Sequence, residues 1–422
     1  MNFEITSFDN GLQLVTVPMP HSYSVSMGIY ITVGSRFERP EQSGAAHFIE
    51  HMLFKGTTRR PTARDIALSV EAVGGDINAS TGREWTTYYT RVSRDHLHIG
   101  IDVLLDMLRH SRFDEPDVDR ERQVITEEIA QSQDVPEDLV FLQFQELLWP
   151  DHPLGQDIAG TRNSVAHLDR DHLLDFMGKS YVPSRTVIAA AGAVDHGELS
   201  ALLAPVVGSW PAGDGPAFEP VAPRPDAAIR VKHRPSEQTH LLLGVRTGGR
   251  NSEDRYALAL LNSLLGDGMS SRLFTRIRED LGLAYSTYSF ISNYAEAGQL
   301  GIYAAIDPRR TEEALDALLG ELRRLRDEPV AEEELAFCKA YAHGRTLLRL
   351  EDTGANAGWV GTQLALNGEV KTPEEQLAAL HAVSIEEVQR VAQRYITDDA
   401  LTLSVVGPLD EAQCLAAHLA VE

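Results

Sequence analysis

Cysteine is almost absent: Cys338 and Cys414 are the only two in 422 residues. Two isolated thiols build neither a disulfide framework nor a cysteine-based zinc knot. Any metal held by this chain must therefore use histidine and carboxylate ligands. Basic residues are also few, with 38 lysines and arginines against 62 aspartates and glutamates and a formal charge of −24. Nucleic-acid binding relies on cations that neutralise phosphates, so this balance argues against it. It is compatible with attracting basic peptides, and equally with a solubilising surface. Long apolar runs are missing too, none approaching the roughly 20 residues needed to cross a bilayer. The opening stretch "MNFEITSFDNGLQLVTVP" alternates apolar and polar residues around an Asn-Gly turn. It has neither the basic segment and long apolar block of a signal peptide nor the Arg-rich, acid-poor pattern of a transit peptide. The expectation is a cytoplasmic protein with no membrane and no nucleic-acid partner.

What is present describes a large globular chain. Its 43% hydrophobic and 24% charged content is ordinary for a folded protein. Its length exceeds what one core normally serves. The stretch from Trp210 to Arg230 contains five prolines and reads as a linker. The expected division is a first domain over 1–212, a linker over 213–227 and a second domain over 228–422. The halves share an order of elements. "SVSMGIYITVGS" and "THLLLGVRTGGR" are each followed by a helical pattern. "TVIAAAGAVD" and "LTLSVVGPLD" each end in a Gly-x-x-Asp corner, at Gly192 and Asp195 and at Gly407 and Asp410. The fold class expected is α+β, two homologous α/β-sandwich domains produced by internal duplication.

The residues most suggestive of chemistry are "HFIEH", His47 to His51. On a helix, positions four apart share a face, so His47 and His51 can aim at one point. Glu50 projects beside that point. Two neutral imidazoles suit zinc, and a nearby carboxylate can take a proton from water. Histidine pairs also arise as solvated or structurally satisfied groups. His96 and His98 are read that way, alternating in a strand with nothing beside them to complete a site. A third ligand would decide the matter. "EPDVDRERQVITEEIAQSQDVPEDLV" reads as an acidic helix, on which Glu121 and Glu128 lie seven apart and share a face. Glu127 is rotated away and reads as a solvated charge. If Glu128 were a ligand, Glu121 would stand close by as an auxiliary carboxylate.

These residues resemble the pitrilysin, or insulinase, family of zinc metallopeptidases, the inverzincins. The glutamate-before-histidine order matches, and Glu128 follows His51 after 76 intervening residues. Gly34, Gly44 and "MLFKGT" agree with the neighbourhood of the motif. Glu128 precedes Ile129, as the family's third ligand precedes an apolar residue, and Glu121 matches its auxiliary carboxylate. "GGDINASTGREWTTYY" resembles the family's edge strand, in which Asn78 and Ala79 would bind substrate backbone. "GDGMSSRLFTRIREDLGLAYS" resembles its Gly-rich stretch with an Arg/Tyr pair, here Arg278 and Tyr285. The chain is similar to half-length, mitochondrial-processing-peptidase-like members.

The resemblance implies a processing-peptidase-like metallohydrolase fold with one zinc per chain, bound by His47, His51 and Glu128. It implies a metalloendopeptidase acting on peptides or unfolded segments. Zinc-bound water would be the nucleophile, Glu50 the general base, and Arg278 and Tyr285 donors to the substrate or oxyanion. It further implies a dimeric chamber, with a homodimer favoured over a heterodimer with a degenerate partner. A non-catalytic scaffold of the same fold and a metal-binding protein without turnover are the competing readings.

Overall fold

The computed structural model describes residues 1–222, 227–409, 415 and 418–421. Asp410, Cys414 and residues 223–226 of the expected linker lie outside the described residues. The chain forms two compact units, each built on one sheet. The first comprises Met1–Ala130, Asp157–Glu219 and Leu347–Pro373; the second comprises Gln131–Gln156, Pro220–Thr346 and Glu374–Glu422.

The first sheet contains β1 (Glu4–Ser7), β2 (Gln13–Pro18), β3 (Ser24–Ile31), β4 (Asp76–Thr81), β5 (Thr86–Ser93) and β6 (Thr186–Gly192). Their order across the sheet is β1-β2-β6-β3-β5-β4. The second sheet contains β7 (Ala228–His233), β8 (Thr239–Gly248), β9 (Ala284–Asn293), β10 (Ala297–Ile306) and β11 (Thr402–Gly407), in the order β7-β11-β8-β10-β9. Apart from β1 the two orders are the same. The directions agree as well: β2 runs parallel to β6 and β7 parallel to β11, while every other pairing in both sheets is antiparallel. This is the α+β duplication expected from the sequence.

Both Gly corners end strands. Gly192 closes β6 at φ +130, and a Cβ there would stand 2.2 Å from the Ser24 carbonyl oxygen. Only glycine accepts both that conformation and that approach. Asp195 then caps the helix His196–Gly208, accepting the Glu198 amide at 2.8 Å.

The units depart from simple chain order. The chain changes unit inside the proline-rich stretch, between Glu219 and Pro220, but it also crosses on either side of two exchanged helices. Helix Thr353–Asn367 covers the first sheet, burying Ala357, Val360 and Leu364 against Val15, Val17, Tyr30, Val187 and Ala189. The close approach needs small residues. A Cβ on Gly361 would lie 2.4 Å from the Tyr30 ring and 2.8 Å from Ala189 Cβ. Helix Pro136–Leu148 does the same in the second unit, burying Leu139, Val140, Phe144 and Leu148 against Leu242, Tyr303 and Val406. Each sheet is therefore closed by a helix drawn from the opposite half of the sequence. The other face of each sheet meets a large apolar core containing the remaining helices. Among the described residues no helix is long and apolar enough to cross a membrane.

Candidate metal centre

Helix Ala45–Leu53 carries the histidine pair, and its phase is set by apolar burial. Ala45, Ala46, Phe48, Ile49, Met52 and Leu53 face the core, which leaves His47, Glu50 and His51 on the remaining stripe. The start of the helix is held by Gly44 at φ +94, with a buried carboxylate bonding the free amides. Glu38 Oε2 accepts the Gly44 amide at 2.8 Å and Glu38 Oε1 the Ala46 amide at 2.7 Å. Burial pushes the Glu38 carboxyl up to about 8, against the pull of those two donors.

The helix Glu115–Asp134 brings the other two carboxylates. Glu121 is buried and Glu128 is partly exposed, and both turn toward the histidines. His47 Nε2 and His51 Nε2 are 3.2 Å apart. Glu128 Oε2 lies 3.9 Å from His47 Nε2 and 3.7 Å from His51 Nε2. Among the described residues this is the one group of three or more such side chains whose ligand atoms converge.

Zinc fits this donor set. Ligand distances of about 2.0–2.2 Å in a tetrahedral site give ligand–ligand edges of roughly 3.3–3.6 Å, close to the triangle observed. The tautomer is also suitable. His51 Nδ1 lies 2.8 Å from Glu121 Oε1, so a proton placed between them leaves Nε2 with its lone pair facing the site. Lys55 Nζ holds the other Glu121 oxygen at 2.6 Å.

Electrostatics keep the components in distinct states. Burial, reinforced by His51, lowers the His47 imidazole to about 4, so it is neutral at pH 7. Burial also opposes charge on His51, but the Glu121 hydrogen bond and the surrounding carboxylates raise its pKa overall. The Glu121 carboxyl is pushed up by burial and then held below its ordinary value by His51 and Lys55. Burial raises Glu50, with the Thr81 hydrogen bonds pulling in the other direction. The His47 Nδ1 atom is buried with no hydrogen-bond partner among the described residues.

The remaining predicted residues fall in two places. Asn78 and Ala79 lie on β4, the outer strand of the first sheet, which packs against the histidine helix. Asn78 Oδ1 accepts the Ala79 amide at 2.8 Å. Arg278 and Tyr285 lie in the second unit and meet one another. The guanidinium sits 4.4 Å over the Tyr285 ring, and Nη1 donates to the Tyr285 carbonyl at 3.1 Å. Tyr285 is 77% exposed, so it is no core tyrosine. Glu127 is exposed, as its rotation predicts.

The strand reading of His96 and His98 is corrected. His96 ends a short 3-10 turn, Arg94–His96, and His98 lies in the helix Leu97–His110. The alternation that suggests a strand marks the junction between β5 and that helix. Three contributors escaped the sequence reading: Lys55, which holds Glu121; Glu38, which caps the histidine helix; and Thr81, whose hydroxyl bonds Glu50. Lys55 lies inside the quoted "MLFKGT", but nothing in the spacing shows what its ammonium touches.

Comparisons with known proteins agree on the family. A family model described as "Insulinase (Peptidase family M16)" matches residues 14–162, and one described as "Peptidase M16 inactive domain" matches residues 167–341. The chain is 40% identical over 423 residues to an uncharacterized zinc protease of Streptomyces coelicolor, covering 99% of this chain and 92% of that one. In fold it is similar to the crystal structure of a protease from Helicobacter pylori, with a TM-score of 0.90 at 23% identity, covering 96% of this chain and 99% of that one. It is equally similar to a peptidase M16 inactive domain from Pseudomonas fluorescens, with a TM-score of 0.90 at 21% identity over 97% and 99% of the two chains. With its inverted His-x-x-Glu-His helix in the first matched region and a second sheet of the same strand order, the chain belongs to the insulinase family of peptidases, family M16.

Proposed function

We propose that this protein is a zinc-dependent endopeptidase that binds one zinc per chain through His47, His51 and Glu128. The observation that carries this reading is the convergence of those three donors beside Glu50, which the same helix presents. A bound zinc ion supplies a Lewis acid that polarises the scissile carbonyl and acidifies water. Glu50 takes the proton of the water that attacks the carbonyl carbon and delivers a proton to the departing amine. Glu121 fixes the His51 ring and Lys55 fixes Glu121, so the ligand side of the site is set before substrate arrives. Arg278 and Tyr285 offer a guanidinium and an exposed phenol to substrate carbonyls or the oxyanion.

The substrate is an extended peptide or unfolded segment that pairs with the outer edge of β4. Strand addition recognises main chain and is permissive of sequence. The charge of −24 favours basic segments. A homodimer encloses the peptide in a chamber. A non-catalytic scaffold is suggested by the description "inactive domain", but the family match of that description, residues 167–341, contains none of the metal ligands or Glu50, and the Pseudomonas fluorescens structure so described, at 21% identity, is a likeness of fold alone.

One experiment tests these readings together. The protein is resolved by size-exclusion chromatography with light scattering, and each fraction is assayed for zinc and for cleavage of a mixed peptide library with and without chelator. The expected result is zinc and chelator-sensitive cleavage in a dimer peak. Full zinc content without cleavage points to a scaffold or binding protein. Full cleavage in a clean monomer peak overturns the chamber.

A further inference from the structure

We propose that Thr81 is a positioning residue that anchors Glu50 to the open edge of β4, making the strand offered to the peptide and the base that acts on it one mechanical unit. This rests on the reading of Glu50 as the base. Glu50 accepts a hydrogen bond from the hydroxyl of Thr81. Thr81 is the last residue of β4, and the ladder to β5 ends there at the Thr81–Thr86 pair.

The arrangement sets a register. β4 bonds to β5 on one side only, so its other side is an open row of main-chain groups. Residues two apart in a strand turn their amides the same way. The Ala79 amide on that open side is shielded only by its neighbour's side-chain oxygen, Asn78 Oδ1. Next along the same side, Thr81 is engaged by Glu50 through its hydroxyl. A peptide adding to β4 can displace Asn78 from Ala79 and then meets the Glu50 carboxylate held at Thr81. Pairing therefore stops where the carboxylate of Glu50 stands.

The loop between β3 and the histidine helix braces this contact at both ends. The Ser35 amide bonds the Gly82 carbonyl at 3.2 Å, and the Arg36 amide bonds the Arg83 carbonyl at 2.8 Å. The buried Arg36 guanidinium holds the buried Glu84 carboxylate at 2.5 Å. Two residues further on, Glu38 caps the helix that carries Glu50. Gly34 lets the loop approach the hairpin, because a Cβ there would lie 2.2 Å from the Gly82 carbonyl oxygen. One short loop thus ties the β4–β5 turn to the start of the helix and fixes the distance that Thr81 spans.

The test compares Thr81→Val, Thr81→Ala and Thr81→Ser in the full-length protein, on a fluorogenic peptide that the wild type cleaves. A hydrogen bond to a charged group is worth about 1.5–3 kcal/mol, equivalent to roughly 10–100-fold in rate. Thr81→Val and Thr81→Ala are expected to lose about that much kcat, with KM and zinc content unchanged. Thr81→Ser, which restores the hydroxyl, is expected to stay within about threefold of wild type. Wild-type kcat in Thr81→Val, an equal loss in Thr81→Ser, or a change confined to KM would each overturn the proposal. Glu50→Gln is measured alongside. If it cleaves at the wild-type rate, the assignment of Glu50 as base fails; if it is inactive while Thr81→Val is normal, only the role of Thr81 fails.

Discussion

The helix after β3 and the helix after β8 hold the same place in two sheets of the same strand order, and only the first carries a candidate site. Helix Arg255–Gly266 buries Ala257, Leu258, Leu260, Leu261, Leu264 and Leu265, with Ser263 the only polar side chain it buries. Helix Ala45–Leu53 buries a similar apolar face but adds His47, Glu50 and His51 on its flank. Their N-termini differ in the same sense. Glu38 turns its carboxylate to the helix amides in the first unit. In the second, Asp254 sits at the N-cap without capping, and instead takes Arg390 at 2.7 Å, Arg394 at 2.9 Å and the Tyr395 hydroxyl at 2.8 Å. The duplicated sheet provides a platform for either outcome, and a few polar side chains on one helix distinguish the half that carries the candidate site.

Two substitutions test this contrast. The larger effect is expected in the second unit, from Leu261→Ala. Removing this fully buried side chain is expected to lower stability by about 2–5 kcal/mol, read from urea unfolding followed by circular dichroism, while zinc per folded chain stays unchanged. If zinc binding is lost in the folded protein, the second helix contributes to the site and the contrast fails. The smaller effect is expected in the first unit, from Glu121→Gln. Losing the charged acceptor at His51 is expected to weaken zinc affinity by about 10–100-fold, read by competition with a chromophoric chelator, with the unfolding midpoint of the zinc-free protein little changed. Unaltered zinc affinity would show that His51 needs no such support.

Much of this was legible in the sequence, where periodicity carries it. His47, Glu50 and His51 lie within one helical turn and a fraction, and Glu121 and Glu128 lie almost two full turns apart. Both spacings translate directly into a shared face. The duplication was legible through two Gly corners, because Gly192 at its positive φ marks a place where the backbone has no alternative. Contacts made through tertiary approach were not legible. Nothing local to Thr81 says that its hydroxyl meets a carboxylate 31 residues earlier. Glu38 and Lys55 were invisible for the same reason. The exchanged helices Pro136–Leu148 and Thr353–Asn367 show apolar faces in the sequence, but an apolar face does not name the sheet it will cover. His96 and His98 misled because a period of two can also arise where a strand hands over to a helix.

One metal is proposed to sit among His47, His51 and Glu128. Crystals of the zinc-loaded protein, with diffraction collected above and below the zinc absorption edge, would locate it. One strong anomalous peak per chain is expected, within about 2.0–2.2 Å of both histidine Nε2 atoms and a Glu128 oxygen. No peak there, or zinc held elsewhere such as between His343 and His381, whose nitrogens lie 3.0 Å apart, would contradict it.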